Sequence, residues 1–164
     1  MKKTWFCLML FGGLFSGSLL AQEVRVGANM LILGYIDNPF MGAGAGIEAG
    51  LGEHFTLNAD ANWGSNGEGS SLEFRPAVNY YFGAEQKGFF VGAAFKYINL
   101  KEEGEDVDRW EDHLYSIGFN LGFKALLSES WTLAFTASPH KTVGGSHESD
   151  VAGISAQLGL GYRF

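Results

Sequence analysis

The residues of this chain that could do chemistry are charged side chains in segments where apolar and polar residues alternate. Because successive side chains of a strand point to opposite faces, the alternation places these charges on the polar face of predicted strands. Five cations and three anions occupy such positions, or four anions with Asp112; the eight are Arg25, Glu48, Asp60, Glu73, Arg75, Lys96, Lys124 and Arg163. Charges that are buried must pair and hydrogen-bond. If the polar face is internal, the pattern therefore predicts an ion-pair network.

Two predicted loops contain residues that could bind a cation. Residues 101–112 hold seven acids, and Ca²⁺ takes six to eight oxygen ligands, but the spacing of an EF-hand is missing. The seven acids are Glu102, Glu103, Glu105, Asp106, Asp108, Glu111 and Asp112. In the last predicted loop, His140, His147, Glu148 and Asp150 match no zinc spacing. We interpret the acidic loop as solvated and predict no metal site and no cofactor.

A catalytic serine needs a base within hydrogen-bond reach. His113 and Ser116 are three residues apart on a predicted strand, so their side chains point to opposite faces. His147 and Ser149 could share a face, but they lie in a polar loop. We therefore predict that the protein is not an enzyme, with a hydrolase as the alternative.

Eight segments must position the charged residues. Their alternation of period two predicts strands over 24–33, 41–51, 55–63, 72–82, 89–97, 112–125, 131–138 and 151–164. Pro76 lies on the apolar face of the fourth segment, where we expect a bulge or a local kink. The sequence thus predicts an all-β fold, an eight-stranded antiparallel up-and-down barrel.

The N-terminus has the composition of an export signal. Residues 1–21 combine a basic start, a short apolar run and small residues, which predicts a signal peptide cleaved after Ala21, with Ser18 as the alternative position. The barrel domain is then residues 22–164, and the only cysteine, Cys7, is removed. Loss of Lys2 and Lys3 lowers the formal net charge from −7 to −9, so nucleic acid is a poor partner.

The predicted connections and aromatic residues indicate a membrane barrel. Connections 52–54, 84–88 and 128–130 are short, whereas 36–40, 64–70, 101–109 and 139–150 are mostly longer and more polar, as in outer-membrane barrels. Aromatic residues collect at both strand ends, as interfacial girdles require. Those near the short turns are Phe55, Phe82, Phe89, Trp131, Tyr162 and Phe164; those near the loops are Tyr35, Phe40, Trp63, Tyr97 and Trp110.

Alternation alone leaves open which face is inside. A soluble lipocalin-like barrel would enclose a ligand with its apolar face. The polar face here consists mostly of Gly, Ala, Ser, Thr and Asn, which suits the narrow interior of eight strands better than a water-exposed exterior. We therefore predict a transmembrane barrel with a side-chain-filled lumen. A narrow ion-conducting lumen is the alternative.

The whole mature chain resembles the small eight-stranded outer-membrane barrels of the OmpA-transmembrane and OmpX type. Residues 29–58 (N-M-L-I-L-G-Y-I-D-N-P-F-M-G-A-G-A-G and onward), 72–83 and 88–99 further resemble a Bacteroidota family of barrel proteins of unknown function. The resemblance implies an outer-membrane location among lipids and lipopolysaccharide, with insertion by the barrel-assembly machinery. It also implies that Tyr162 and Phe164 form a C-terminal assembly signal.

These observations predict a structural or interaction protein that displays four loops to an unidentified extracellular partner. The alternatives are a lipid A-modifying enzyme, a narrow channel and a small-ligand barrel.

Overall fold

Eight antiparallel strands close into a barrel in chain order, which confirms the predicted fold class. The computed structural model describes residues 22–34, 36–102, 111–146 and 151–164. The strands are β1 (Glu23–Leu33), β2 (Phe40–Gly50), β3 (Phe55–Ser65), β4 (Gly69–Tyr81), β5 (Gly88–Glu102), β6 (Glu111–Leu126), β7 (Trp131–Gly145) and β8 (Ala152–Arg163). A short 3-10 turn, Ala84–Gln86, connects β4 to β5. Within these ranges, no helix is long and apolar enough to cross a membrane.

The register of the strands determines how far they tilt from the barrel axis. Paired residues followed once around the sheet from Glu23 lead back to β1 at Leu33, so the register shifts by ten residues per circuit. Ten residues of shear over eight strands tilt the strands by about 40°. Because β8 pairs with β1, the sheet has no open edge, as a barrel in lipid requires.

Burial alternates along each strand and settles which face is inside. In β1, Glu23, Arg25 and Asn29 are buried while Val24 and Val26 are exposed. Every strand exposes large apolar side chains on its outer face, for example Val26, Ile47, Trp63, Phe74, Phe95, Phe119, Phe135 and Leu158. A polar interior and an apolar exterior are the arrangement of a transmembrane barrel and the reverse of a lipocalin-like one.

The connections at the two ends differ less than predicted. At the end that carries both termini, the turn end, residues 51–54, 82–87 and 127–130 link the strands. At the opposite, loop end, β3 and β4 are joined by residues 66–68 alone, so the predicted loop 64–70 was too long. β7 also continues to Gly145, so the predicted loop 139–150 began too early.

Pro76 does not shift the strand register as a bulge would. The β4–β5 register is the same before Pro76 (Phe74–Tyr97) and after it (Ala77–Ala94), so the expected bulge is absent there. A register shift occurs instead in the β6–β7 pair, between Tyr115 and Ser116. Proline lacks an N–H but its ring fits extended backbone, so losing a ladder bond need not displace the strand.

Aromatic side chains form the expected outer girdle at the turn end, where Phe55, Phe82, Phe89, Trp131, Tyr162 and Phe164 are all exposed. At the loop end, Trp63 and Tyr97 lie on the outer face together with Tyr115. Phe40 does not belong to this girdle, since it is 4% exposed and faces the lumen. Tyr35 and Trp110 lie outside the described residues.

Candidate functional site

The barrel interior contains a charge-balanced set of side chains, which we call the lumen network. Each member is at most 5% exposed. Among the described residues the network comprises four cations and four anions: Arg25, Arg75, Lys96, Lys124, Glu23, Glu48, Asp60 and Glu73. Asp112 is also buried, nearer the loop end. Buried charges of equal number and opposite sign can satisfy one another without water.

At the turn end, Lys124 joins two glutamates. Its Nζ lies 3.3 Å from Glu23 Oε2 and in closer contact with Glu48 Oε1. The hydroxyl of Tyr81 donates to Glu48 Oε2 at 3.0 Å, and that of Thr132 donates to Glu23 Oε1 at 2.9 Å. Lys124 Nζ also lies 4.8 Å from the centroid of the Tyr81 ring, within the range of a cation–π contact. Both carboxylates therefore have a cation and a hydroxyl donor.

In the middle of the lumen, Asp60 bridges two arginines. Arg75 Nη2 donates to Asp60 Oδ2 at 3.1 Å and to Gln157 Oε1 at 2.5 Å. Arg25 Nη2 lies 3.5 Å from Asp60 Oδ1 and donates to Asn58 Oδ1 at 3.3 Å. One carboxylate thus connects side chains from β1, β3 and β4, with β8 joined through the glutamine.

Towards the loop end, Lys96 is the centre of a third cluster. Its Nζ donates to the Ser138 carbonyl and to Ser155 Oγ, each at 2.8 Å, and lies 2.9 Å from His140 Nδ1. Ser155 donates in turn to Glu73, whose Oε2 is 3.9 Å from Lys96 Nζ. The predicted placement of His140 in the last loop was wrong, because His140 lies on β7 and points into the lumen.

Glycines provide the room for these long side chains. A Cβ at Gly46 would overlap the carboxylate of Asp60. A Cβ at Gly159 would lie 2.7 Å from Cδ of Arg25. The glycine-rich face of β2 and β8 is therefore the space that the network fills.

Above the network, a second layer closes the lumen at the loop end. We call this layer the apolar cap. Its members are at most 7% exposed and are Leu31, Leu33, Phe40, Ile98, Leu100, Leu114 and Val151, with Ile36 packed against them. At the turn end, the rings of Tyr81 and Phe90 pack with centroids 4.9 Å apart, and both are buried. The loop-end side of the lumen network is thus covered by apolar side chains.

The structure brings together seven of the eight charged residues predicted from sequence, all except Arg163. Arg163 is half-buried at the end of β8, and its backbone N–H donates to the Ser130 carbonyl. Glu23 was not predicted as a member, because it has the parity of Arg25 but lies one residue before the predicted start of the strand. The apolar cap was not predicted either, and its signal in the sequence is apolar residues such as Leu33, Leu114 and Val151 on the polar face.

The nucleophile candidates lie in different places. His113 is on the outer face, where its Nδ1 is 2.7 Å from the Tyr97 hydroxyl, whereas Ser116 is in the lumen, 3.2 Å from Thr142 Oγ1. In the lumen, Ser155 accepts from Lys96 and donates to Glu73, so that Glu73, and not Lys96, is placed as its base. Ser155 is only 4% exposed and lies beneath the apolar cap, so a substrate has no route to it.

The remaining predicted sites fall largely outside the described residues. These include the signal peptide, residues 103–110 of the acidic loop, and His147, Glu148, Ser149 and Asp150 of the last loop. In the described ranges, no group of three His, Cys, Asp or Glu residues could hold a metal ion.

The two residues of the predicted C-terminal assembly signal, Tyr162 and Phe164, lie on the outer face and contact each other edge to face, with ring centroids 5.4 Å apart.

Comparison with solved structures identifies small outer-membrane barrels with the same fold. Neisserial surface protein A is matched with a TM-score of 0.72 at 9% identity, over 87% of this chain and 96% of that one. The N-terminal barrel domain of Pseudomonas aeruginosa OprF gives 0.61 at 17% identity, over 88% and 98% of the two chains. Ail, the attachment invasion locus protein of Yersinia pestis, gives 0.60 at 13% identity, over 88% and 100%. At these identities the likeness concerns the fold.

Comparison with curated protein sequences finds no match. A family model does match, over residues 4–139, and it covers seven of the eight strands at least in part. The chain therefore belongs to the family described as "Protein of unknown function (DUF3575)".

Proposed function

We propose that this chain is an exported bacterial outer-membrane barrel with a closed, non-conducting lumen and a structural or interaction role. In this proposal, outer-membrane lipids and lipopolysaccharide surround the barrel, and the barrel-assembly machinery inserts it. The single observation that carries the proposal is the lumen, in which a charge-balanced network lies beneath the apolar cap.

The lumen argues against a channel because an ion path would have to cross both the lumen network and the apolar cap. Separating Lys124 from Glu23 and Glu48, or Arg75 from Asp60, would leave a buried charge without its partner. Such a loss costs about 3–5 kcal/mol for each pair. The cap would in addition have to expose its apolar side chains to water. A closed lumen is therefore the resting state that these contacts favour.

The positions of the nucleophile candidates argue against an enzyme. His113 and Ser116 are separated by the barrel wall, and Ser155 is sealed from both lipid and water. A serine hydrolase needs nucleophile and base on one accessible surface. The predicted pair His113–Ser116 does not meet this condition, and Ser155 is not accessible.

The loops of this chain do not favour a polyanionic partner. Ail of Yersinia pestis was solved in complex with a heparin analogue, sucrose octasulfate. Residues 101–112 of the present chain carry seven acids, which would repel sulfate groups. If the loops bind a macromolecule, we infer that it presents cationic or neutral groups.

The proposal is tested by fractionating cells that express the full chain. We expect the protein to lose residues 1–21 and to sediment with outer membranes in a density gradient. It should migrate faster on gels when it is not boiled, as folded barrels do. Recovery in the soluble fraction without detergent would contradict the membrane location.

The enzymatic alternative is tested separately by mass spectrometry of lipid A from cells with and without the protein. We expect identical lipid A species. A change in acylation that requires the chain would overturn the non-enzymatic role while leaving the membrane location intact.

A further inference from the structure

The connection between β4 and β5 lies at the turn-end mouth of the lumen. Residues 84–87, which we call the strap, lie beyond the backbone hydrogen bond from Phe82 N–H to the Phe89 carbonyl, which is 3.0 Å long. Three residues of the strap are exposed, whereas Gln86 is only 7% exposed. The side chain of Gln86 therefore turns inward, away from the water that surrounds its neighbours.

Gln86 reaches from the strap to the connection between β2 and β3. Its Nε2 donates to the Gly52 carbonyl at 2.8 Å, so the bond links two turns that the β3–β4 pair separates. Gly50, the last residue of β2, provides the room for this side chain. A Cβ at Gly50 would overlap both Gln86 Nε2 and Gln22 Oε1. Two side-chain amides thus converge over Gly50 and cover the mouth of the lumen.

The backbone of the strap is strained. Glu85 and Gln86 have φ angles of 60° and 56°, in the left-handed region that residues other than glycine rarely adopt, and then singly. Such strain persists only where surrounding contacts impose it. The ion pair of Lys87 Nζ with Glu85 Oε2, at 2.7 Å, is exposed and lies within the strap, so it does not attach the strap to the barrel. The bond from Gln86 to Gly52 is the attachment that opposes the strain.

Two glycines flank the strap. Gly88 has a φ angle of 84°, which favours glycine, and a Cβ there would meet nothing within 4 Å. At Gly83, a Cβ would overlap the Lys87 carbonyl, so the closed strap needs a glycine there. Hinges are a few loop or element-end residues, often small, that absorb changes in φ and ψ. Gly83 and Gly88 are placed to act in this way, at the ends of two strands that stay paired in the barrel.

We propose that the strap is a hinged cover, which leaves the turn-end mouth when the Gln86–Gly52 bond breaks and admits water and small solutes to the turn end of the lumen. The ion pairs beneath it stay intact, because Gln86 bonds to a backbone carbonyl and not to a member of the lumen network. The apolar cap closes the other end, so an open strap creates a vestibule and no path for ions through the barrel. This inference goes beyond the proposed function, since it concerns the opening of one mouth alone.

A thiol placed beneath the strap measures this opening in the folded barrel in micelles. Thr56 is 0% exposed and is the register partner of Gly50, so Thr56→Cys puts a reporter under the two amides. Ser138→Cys puts a second reporter deeper in the lumen, where the Ser138 carbonyl accepts from Lys96. Cys7→Ser removes the chain's own cysteine. Each barrel is labelled with iodoacetamide, and the labelled fraction is followed by intact-mass spectrometry.

Gln86→Ala removes the attachment, and Gln86→Glu keeps the size of the side chain without its N–H donor. We expect either change to speed the labelling of Thr56→Cys about fivefold, since the loss of one hydrogen bond shifts an opening equilibrium by about that factor. Glu85→Asn should slow it, because asparagine tolerates the left-handed region. Glu129→Ala, a truncation at an exposed residue of the turn 127–130, is the matched control and should leave the rate unchanged. Labelling of Ser138→Cys should stay slow throughout.

Equal labelling of Thr56→Cys with Gln86 present or replaced would overturn the strap as the cover. Labelling of Ser138→Cys as fast as that of Thr56→Cys in the Gln86→Ala background would also overturn it, because the whole lumen would have opened. Heat-modifiable migration on gels verifies that each variant is folded. If Gln86→Ala fails to fold, Gln86→Glu decides the result. Bilayer conductance remains a separate test of the closed lumen, because an open strap leaves the apolar cap in place.

Discussion

Replacing Arg75 by leucine removes the cation at the centre of the lumen. Arg75 is 1% exposed, its Nη2 lies 3.1 Å from Asp60 Oδ2, and its Nη1 lies 3.9 Å from Glu73 Oε1. Breaking a buried pair by removing one partner costs about 3–5 kcal/mol. Asp60 keeps Arg25 at 3.5 Å and Glu73 keeps Lys96 at 3.9 Å, so neither acid is left alone. We therefore expect the free energy of unfolding to fall by about 3 kcal/mol, at the lower end of that range.

The measurement is equilibrium unfolding of the folded barrel in micelles by guanidinium chloride, followed by tryptophan fluorescence. Arg163→Leu is the matched control, because Arg163 is half-buried at the end of β8 and outside the lumen network. It should change the free energy of unfolding by about 0.5 kcal/mol or less. In the double variant Arg75→Leu with Asp60→Leu, the loss should be smaller than the sum of the two single losses, because the pair is removed together.

Equal, small losses of unfolding free energy for Arg75→Leu and Arg163→Leu would refute the buried ion-pair network. Charges that cost less than about 1 kcal/mol to unpair are hydrated. The lumen would then contain water instead of a closed network.

Three further predictions concern β8 and the residue that follows it. Leu158 is 52% exposed on the lipid face near mid-strand, so Leu158→Arg should cost about 2–4 kcal/mol in the same unfolding assay. Gln157→Glu would place a carboxylate beside Arg75 but would add an anion to the lumen and remove the amide donor to Asn62, so it should cost less than Leu158→Arg without being neutral; if it is the more damaging change, the lumen network has no capacity for an added charge. Deleting Phe164, which is 80% exposed, should lower the amount of heat-modifiable protein in membranes more than it lowers stability in micelles. If the amount of folded protein in membranes and the stability in micelles fall equally, Phe164 is not an assembly signal.

The sequence was sufficient to predict the fold and most members of the lumen network, because both depend on the alternation of apolar and polar residues along the strands. A period of two assigns each residue to a face, and lone charges among small residues, such as Asp60 or Lys96, then fall on one interior. The segment starting at Val24 omitted Glu23, because strand ends cannot be located to one residue from periodicity. The Lys124–Glu23 pair, 101 residues apart in the chain, needed the closed register.

The apolar cap could not be predicted from alternation, because its members are apolar residues at positions where alternation predicts polar, lumen-facing ones. Leu33, Leu114 and Val151 are apolar residues on the polar face, and in the sequence they indicate only that the alternation ends. The structure shows that they come from the loop ends of separate strands and meet inside the barrel.

The closed lumen is tested most directly by the conductance of the full barrel in planar lipid bilayers, with an open porin as the positive control. We predict that the reconstituted, folded protein leaves the bilayer current at its baseline, because the lumen network and the apolar cap block the path of ions. Stable, long-lived steps of ohmic current from the unaltered chain would contradict this account and would show that the lumen is a channel.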